Sequence, residues 1–329
     1  MKKGCDERLN QDPSLPLISV IIPTHNSRKN LKECLRSIGK TKYPKYEVLV
    51  VDAACTDGTY DMLRRDFPDV RVFREGDIGW GESLNHGIIR ARGEYIICIS
   101  DDYTVHPNWL SELVKVASSS KKIGVVGSKV YLYGTEDRIV SAGGIISLTK
   151  SGYTFGCMSN DCEKYDSIRE IDFSVVPMVR REVFLRVGLF DPDYFCSFDD
   201  TDFGFRVKKA GYKIVYVPTA ILWHKIGGTT PSGSLKAFYR YHRNRIRFIT
   251  KNFSAHALLI ALPFNVLLLI TSIPRLILYN RFEHFKALLH ALIWNLKHMR
   301  ETIQARIDPL HQSFKRLPPR QLTRFLDGN

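Results

Sequence analysis

Residues 94–104 read E-Y-I-I-C-I-S-D-D-Y-T, and this stretch decides how the rest of the chain is interpreted. Tyr95–Ile99 is almost entirely apolar, which is typical of a buried strand, usually a parallel one covered on both faces. The run ends at Ser100, Asp101 and Asp102. Adjacent carboxylates at the end of a buried strand are costly unless they have a partner, and a divalent cation bridging to a phosphorylated ligand would provide one. Solvated turn acids are the alternative.

Shorter apolar runs precede this strand and alternate with helical patterns. Polar residues follow them, with Thr24 and Asn26 after the first run and Asp52 after the second. The alternation predicts a doubly wound, mostly parallel sheet, whose strand ends would bring these residues close to Asp101 and Asp102. The glycine patterns of dinucleotide-binding and P-loop folds are absent. The predicted strands are 18–22, 46–51, 70–73 and 215–223, and the predicted helices are 31–38, 60–66, 83–90 and 203–210.

The composition places an unusual charge at one end of the chain. The 329 residues carry a net charge of +14, and residues 236–329 hold 16 Lys and Arg against 4 Asp and Glu. A basic, apolar C-terminal third favours a membrane surface or anionic lipid. No zinc-finger, RNA-recognition or basic-zipper pattern supports nucleic-acid binding. The seven cysteines form no C-x-x-C pair, which predicts reduced thiols in a cytoplasmic setting.

Two segments of the C-terminal third are candidates for membrane contact. Residues 257–274 contain no charged side chain, although Pro263 and Asn265 interrupt them, and residues 282–299 repeat apolar positions at helical spacing. We expect helices that lie in the membrane interface or dip into one leaflet. A true span over 257–279 and a water-soluble oligomer interface are the alternatives.

Several motifs follow the predicted strands in a fixed order. In the first half they are P-T-H-N at 23–26, V-D-A-A-C-T-D-G-T at 51–59, N-H-G at 85–87 and S-D-D-Y-T-V-H-P-N-W-L at 100–110. In the second half they are F-S-V-V-P-M-V-R-R-E-V-F-L-R-V-G-L-F-D at 173–191, F-D-D-T-D-F-G-F-R-V-K-K-A-G-Y-K-I at 198–214 and V-P-T-A-I-L-W-H-K-I-G-G at 217–228. Over about residues 17–250 the chain resembles the family 2 glycosyltransferases, inverting enzymes with the GT-A fold, and in particular their membrane-associated bacterial and archaeal members.

The resemblance implies a hexosyl-type glycosyltransferase and assigns roles to individual residues. Binding of the nucleotide-sugar donor falls to Pro23, Thr24, Asn26, Asp52, Asn85 and Asp101. Asp102 and His224 are implied to bind a divalent metal, Mn²⁺ or Mg²⁺. Asp200 is implied to be the general base, which takes a proton from the acceptor hydroxyl during a direct, inverting displacement. Asp199 and Trp223 are implied to lie on the acceptor side.

The chain departs from the family pattern at two positions. Ser100 stands where the metal motif often has its first acid, so Asp102 aligns with the metal-binding acid and Asp101 becomes a helper. The acceptor-side pair, often Glu-Asp, is Asp199-Asp200 here. Other roles also fit these residue types. His224 can be a structural histidine, and the acids at 199–202 can stabilise a helix start through the helix dipole.

The assignments divide the chain into a flexible leader (1–16), a GT-A catalytic domain (17–235) and a basic, apolar, helical membrane-docking tail (236–329). The domain has a nucleotide-sugar half (17–115) and an acceptor half (116–235). We expect the tail to hold the enzyme at the cytoplasmic face of the cell membrane, as a peripheral or monotopic protein or through one C-terminal segment. The expected partners are a UDP- or dTDP-linked donor and a lipid-linked or glycan acceptor. A nucleotidyltransferase and a non-catalytic nucleotide-sugar-binding scaffold are alternative functions.

Overall fold

A computed structural model describes residues 14–149, 151–161, 163–226, 234–279 and 281–327. The strands in these ranges are Ile18–Thr24 (β1), Tyr46–Ala53 (β2), Arg71–Glu75 (β3), Tyr95–Cys98 (β4), Tyr103–Val105 (β5), Ile123–Leu132 (β6), Arg138–Ser141 (β7), Gly144–Ile145 (β8), Tyr153–Thr154 (β9), Ser159–Asn160 (β10), Arg169–Ile171 (β11), Pro177–Arg180 (β12) and Lys213–His224 (β13). The α-helices are Arg28–Ile38 (α1), Thr59–Asp66 (α2), Trp80–Ile88 (α3), Trp109–Ala117 (α4), Arg181–Val187 (α5), Asp199–Lys209 (α6), Leu235–Asn252 (α7), Ala255–Leu278 (α8), Phe282–Lys297 (α9), Met299–Ile307 (α10), Pro309–Phe314 (α11) and Pro319–Leu326 (α12).

A mixed sheet forms the centre of the molecule. Its main path runs β10-β7-β6-β12-β4-β1-β2-β3, and β13 lies beside β6, β5 and β11. The strands β3, β2, β1 and β4 are parallel, as the alternation of strands and helices predicts. On one side β4 pairs with β1 in the parallel direction, as predicted, and on the other side β12 pairs with it in the antiparallel direction. This antiparallel strand joins the N-terminal half of the sheet to β6.

Successive side chains of β1 enter different cores, because side chains alternate across a strand. Val20 and Ile22 pack in a core with α1, α2 and α4, whereas Ile21 packs in a second core with α3, α5 and α6. All three residues are fully buried. The sheet therefore has helices on both faces, and its strand ends form an edge between the two layers.

Two helices begin earlier than the sequence pattern predicts. The sequence pattern predicts a loop at Gly79-Trp80-Gly81 before the helix at 83–90, but α3 starts at Trp80, with Gly79 as its N-cap. The helix predicted from Phe203 starts at Asp199, so its acidic residues form the first turn of α6. Negative charge is favourable at that position, where the backbone N–H groups are unpaired.

The C-terminal helices pack onto the rest of the molecule. Helix α7 contacts α6, and both α9 and α10 contact α7. Gln312 on α11 donates to the Asp191 carboxylate at 2.7 Å, and Arg316 donates to Glu82 on α3 at 2.9 Å across 234 residues of sequence. Within the described ranges, no helix combines the length and apolar character that crossing a membrane requires. Large apolar side chains are nevertheless exposed on these helices, among them Leu259, Leu278, Tyr279, Leu296 and Ile307.

Candidate active site

A cavity of about 730 Å³ opens at the edge of the sheet where the strand ends meet. Its polar side chains come from the end of β1, the segment from Asp77 into α3, the turn after β4, the end of β13, the start of α6 with the loop before it, and α7. The first turns of α7 close one side. The residues that argue for chemistry here are Thr24, Asp101, Asp102, Asp199, Asp200, His224, Lys236 and Arg240.

Asp101 is buried at the floor of the cavity. The Thr24 hydroxyl at the end of β1 donates to its carboxylate at 2.6 Å. Burial raises the pKa of Asp101 to about 7, and the neighbouring Asp102 adds to this effect. The predicted meeting of the β1 and β4 ends is therefore present as a direct contact. Asp101 lies within reach of a ligand in the cavity and is partly protonated near neutral pH.

Asp102 and His224 lie side by side, with 3.2 Å between the carboxylate Oδ2 and His224 Nε2. Strand pairing places them together, since β13 pairs with β5 so that His224 lies opposite Tyr103. The Tyr103 ring stacks on the imidazole with 4.2 Å between ring centroids. Asp102 Oδ1 and His224 Nδ1 are buried and have no hydrogen-bond partner in the described structure.

These unpartnered atoms bear on the expected metal. Carboxylate oxygen and imidazole nitrogen are both ligands that a divalent metal such as Mn²⁺ accepts, so the chemistry of the two side chains fits the expected ion. Among the described residues, no group of three or more His, Cys, Asp or Glu side chains is arranged to hold a metal ion. A metal here would therefore need further ligands from the substrate, as is usual where diphosphates bind.

Asp199 and Asp200 enter the cavity from the first turn of α6. Burial and the repulsion of Asp200 raise the pKa of Asp199 to about 8. Asp200 is only half-buried, and its carboxylate accepts hydrogen bonds from the Thr201 backbone N–H at 2.7 Å and the Thr201 hydroxyl at 3.1 Å. Burial in the cavity also raises the pKa of Asp200. Two close carboxylates of this kind share a proton near neutral pH, which leaves one of them ionised and able to accept another.

The raised pKa of Asp199 gives a testable pH dependence of stability. Between about pH 4, where an unfolded aspartate titrates, and about pH 8, the folded protein holds a proton that the unfolded chain has released. The wild-type protein therefore loses stability as pH rises through this window. We expect Asp199→Asn to be more stable than wild type by about 1–3 kcal/mol at pH 8.5, with the difference vanishing near pH 4.

Urea unfolding at pH 4.5, 6.5 and 8.5 in the presence of chelator measures this effect. Asp66→Asn is the matched control, because two cations lower the pKa of Asp66 to about 2. Removing the Asp66 carboxylate should not raise the free energy of unfolding at any of these pH values. If the difference in free energy of unfolding between Asp199→Asn and wild type is the same at all three pH values, Asp199 does not retain its proton in the folded protein.

Asp52 and Asn26 lie next to the cavity but do not line it. Asp52 is fully buried opposite Thr24 in the β1–β2 register. Its Oδ1 accepts from the Cys55 N–H at 2.9 Å. Its Oδ2 has no hydrogen-bond partner among the described atoms and forms an ion pair with Arg74, whose Nε is 3.8 Å away. Asn26 accepts from the Thr56 N–H at 2.7 Å and lines a second cavity of about 570 Å³ at the start of α1.

Asn85 and Trp223 also lie outside the cavity lining. The Asn85 amide is buried and donates to the Phe190 carbonyl at 2.7 Å, while its oxygen accepts from the Phe190 N–H at 2.9 Å. Trp223 precedes His224 on β13 and packs against the core on the α3 side of the sheet. Pro23 does line the cavity, as the resemblance implies.

Sequence reasoning missed the contribution of α7 to the cavity. Lys236 and Arg240 are one helical turn apart and line the cavity, as do Phe195, Cys196 and Ser197. The spacing of four residues between the two cations on a predicted helix was the available signal. The last two residues of the 217–228 motif, Gly227 and Gly228, which the sequence predicts to begin a loop, lie outside the described residues.

Comparison with known families identifies the class of protein. A family model described as glycosyl transferase family 2 matches residues 19–169, and one described as glycosyl transferase family group 2 matches residues 95–296, more than half of the chain. The protein is thus a glycosyltransferase. Within that class the chain belongs to the family 2 glycosyltransferases, which confirms the resemblance of its motifs.

The relatives of this chain include a named glycosyltransferase and an uncharacterized protein. The chain is 27% identical over 254 residues to an N-acetylglucosaminyl-diphospho-decaprenol L-rhamnosyltransferase of Mycobacterium tuberculosis, covering 69% of this chain and 81% of that protein. It is 30% identical over 230 residues to the uncharacterized protein y4gI of Sinorhizobium fredii, covering 64% of this chain. The matched part spans about a quarter of y4gI, 24% of its length.

Solved structures show the same fold. A mannosyltransferase of Pyrobaculum calidifontis, solved with GDP-Man and Mn²⁺, superposes with a TM-score of 0.53 at 19% identity, covering 98% of this chain and 90% of that one. GalNAc-T7, solved with UDP, GalNAc and Mn²⁺, superposes with a TM-score of 0.58 at 19% identity over 73% of this chain and 48% of that one. These likenesses confirm a GT-A-like fold with a mostly parallel central sheet.

Proposed function

We propose that the protein is an inverting, metal-dependent glycosyltransferase that moves a sugar from a nucleotide-sugar donor to a lipid-linked saccharide acceptor. One observation carries the proposal. Asp102 with His224, from two strand ends, and Asp200, from the start of α6, face the same cavity. The cavity thus has a candidate metal-binding side and a candidate base.

The donor would lie along the edge formed by β1, β2 and β4. Asp52 has a buried carboxylate beside this edge, whose Oδ2 makes no hydrogen bond and lies 3.8 Å from Arg74 Nε, and it would accept a hydrogen bond from a nucleoside bound there. Thr24 and Asp101 lie between it and the Asp102–His224 pair. This order predicts the nucleoside at the β2 end and the diphosphate beside Asp102.

Asp102 and His224 are the residues that would hold the divalent metal. A bound Mn²⁺ or Mg²⁺ supplies Lewis-acid stabilisation of the negative charge on the departing diphosphate. Lys236 and Arg240 on α7 line the same cavity, so they can stabilise anionic groups of a ligand by direct charge. Among the described residues, neither makes an ion pair with an acid of the cavity.

Asp200 would remove the proton from the attacking hydroxyl of the acceptor. Its raised pKa makes it a stronger base than an exposed carboxylate, and its partial exposure lets an acceptor reach it. One base and one direct displacement at the anomeric carbon give inversion of configuration. The Thr201 hydrogen bonds to one carboxylate oxygen leave the other oxygen available for this proton.

The lipid-linked acceptor is supported by the C-terminal helices. Their exposed apolar side chains and their excess of Lys and Arg suit an interface with anionic lipid at the cytoplasmic face of the membrane. A relative with 27% identity is named for a decaprenol-linked acceptor. Flotation with vesicles that contain anionic phospholipid, and its loss with neutral vesicles at high salt, tests this part of the proposal.

A donor screen tests the reaction itself. Purified full-length protein is offered UDP-, dTDP- and GDP-linked sugars with Mn²⁺, with Mg²⁺ or with chelator, and nucleoside diphosphate release is measured. We expect slow hydrolysis of one donor that stops when chelator is added. A nucleotidyltransferase would instead release pyrophosphate, and a non-catalytic scaffold would bind without release even when lipid-linked acceptors are supplied.

A further inference from the structure

The loop that leads into α6 has an unusual backbone. Phe195, Ser197 and Phe198 have φ angles of 65°, 69° and 66°, in the left-handed region that side chains with a Cβ rarely adopt. Each such residue costs about 1–2 kcal/mol, so the loop keeps this shape only if its surroundings hold it. Asp199 and Asp200 follow directly, and residues 195–197 line the cavity.

One buried side chain of α7 binds this loop at three points. The Asn244 amide nitrogen donates to the carbonyls of Tyr194 at 3.0 Å, Cys196 at 2.7 Å and Ser197 at 2.8 Å. Asn244 has no exposed surface. Its oxygen accepts from Arg243 Nε at 2.8 Å, which fixes the amide nitrogen towards the loop. A tight turn that contains three residues with positive φ brings three carbonyls within reach of one amide.

Ion pairs hold helix α7 to residues on both sides of the loop, before it and after it. Lys251 donates to Asp191, which precedes the loop, at 2.8 Å, and it pairs with Asp202 on α6 at 2.9 Å. Arg247 also pairs with Asp191, at 3.0 Å. All four charged side chains are almost completely buried. Buried, hydrogen-bonded ion pairs have well-defined geometry, so Asn244 meets the loop at a fixed position.

We propose that Asn244 is a positioning residue, whose amide holds the loop 194–198 in the shape that directs Asp199 and Asp200 into the cavity. The effect on turnover rests on the proposed function of Asp200, whereas the effect on the loop does not. Helix α7, at the start of the predicted membrane-docking tail, then belongs to the catalytic unit.

Two substitutions test this role in the full-length protein. Asn244→Asp keeps the shape but places carboxylate oxygens against three carbonyls, and Asn244→Ala removes the hydrogen bonds. We expect kcat to fall about 100-fold in each, because small misplacements of catalytic groups have effects of this size, while KM for the donor stays within about threefold. Hydrogen exchange at residues 195–198 should be at least about tenfold faster, since local opening becomes easier.

Asn295→Ala is the matched control. Asn295 is also a buried asparagine of the C-terminal helices, and it donates to the Arg243 carbonyl on the same helix α7 without touching the loop. We expect this variant to lose stability but to keep kcat within about threefold, with unchanged exchange at 195–198.

The outcomes separate the two proposals. Wild-type exchange rates at 195–198 in the folded Asn244→Ala variant would overturn the positioning role, whatever the activity. Equal losses of kcat in Asn244→Ala and Asn295→Ala would overturn it as well, since they would reflect stability alone. A wild-type protein that turns over no donor would refute the proposed function, and exchange would still decide the role of Asn244. If Asn244→Asp fails to fold, the Asn244→Ala comparison decides alone.

Discussion

Asp200→Asn is expected to lower kcat about 10³-fold while the affinity for the nucleotide-sugar donor stays within about threefold of wild type. An amide has nearly the same shape as the carboxylate, and its oxygen can still accept from Thr201. It cannot take a proton from the acceptor hydroxyl. The loss therefore falls on the chemical step, and single-turnover kinetics with saturating donor and acceptor measure it directly.

Two further variants sharpen this experiment. Asp61→Asn changes an exposed acid in the first turn of α2, away from the cavity, and should leave kcat unchanged. Asp199→Asn tests the other member of the acidic pair. If Asp200→Asn keeps near-normal turnover and Asp199→Asn loses it, the base is Asp199. If both variants keep turnover, general-base catalysis by this pair is excluded.

Asp102→Ala is expected to weaken metal-dependent binding of the nucleoside diphosphate by about 100-fold or more. Changes to residues that only support a metal ligand already cost 10- to 100-fold in affinity, and Asp102 is the only charged member of the candidate pair. Calorimetric titration with UDP or GDP, each with Mn²⁺ and with chelator, measures binding without relying on turnover. In Asp102→Ala, the dissociation constant measured with Mn²⁺ should equal the one measured with chelator.

Asp66→Asn provides the control for this measurement. Asp66 lies at the end of α2, is paired with Lys32, and does not line the cavity. His224→Gln should reduce the metal-dependent gain in nucleotide affinity less than Asp102→Ala does, because an imidazole ligand of a metal is neutral and a carboxylate is not. Nucleotide binding that is equally tight with metal and with chelator in the wild-type protein would show that Asp102 and His224 serve another purpose.

The sequence was most informative where local pattern and strand pairing determine position. Apolar runs placed the strands, and parallel pairing then brought the ends of β1 and β4 together, as the Thr24–Asp101 contact shows. That Asp102 and His224 belong to one site was implied by the family resemblance, and the antiparallel pairing of β13 with β5 is what places them together. No local feature of the sequence, however, indicates that β12 enters the sheet in the antiparallel direction beside β4.

The rest of the site depends on contacts between distant segments. Asn85 has the residue type expected to face a diphosphate, but its partner is the Phe190 backbone, 105 residues away. The basic face of α7 was interpreted as a lipid contact, because a helical pattern shows which residues share a face and not what that face meets. Lys236 and Arg240 line the cavity from a helix that two buried ion pairs fix in place. Arg247 pairs with Asp191 before the loop, and Lys251 pairs with Asp202 on α6.

The hydrogen bond from Arg316 to Glu82 has a consequence for folding during synthesis. Its partners are 234 residues apart, and Gln312 reaches back 121 residues to Asp191. Such long-range contacts form late, since the intervening chain must be ordered first. During synthesis on the ribosome, the N-terminal strands can collapse early, but the segment around Asp191 stays without its last partners until the region beyond residue 316 has emerged. Nascent chains halted before that point should therefore be sensitive to proteases near residue 191.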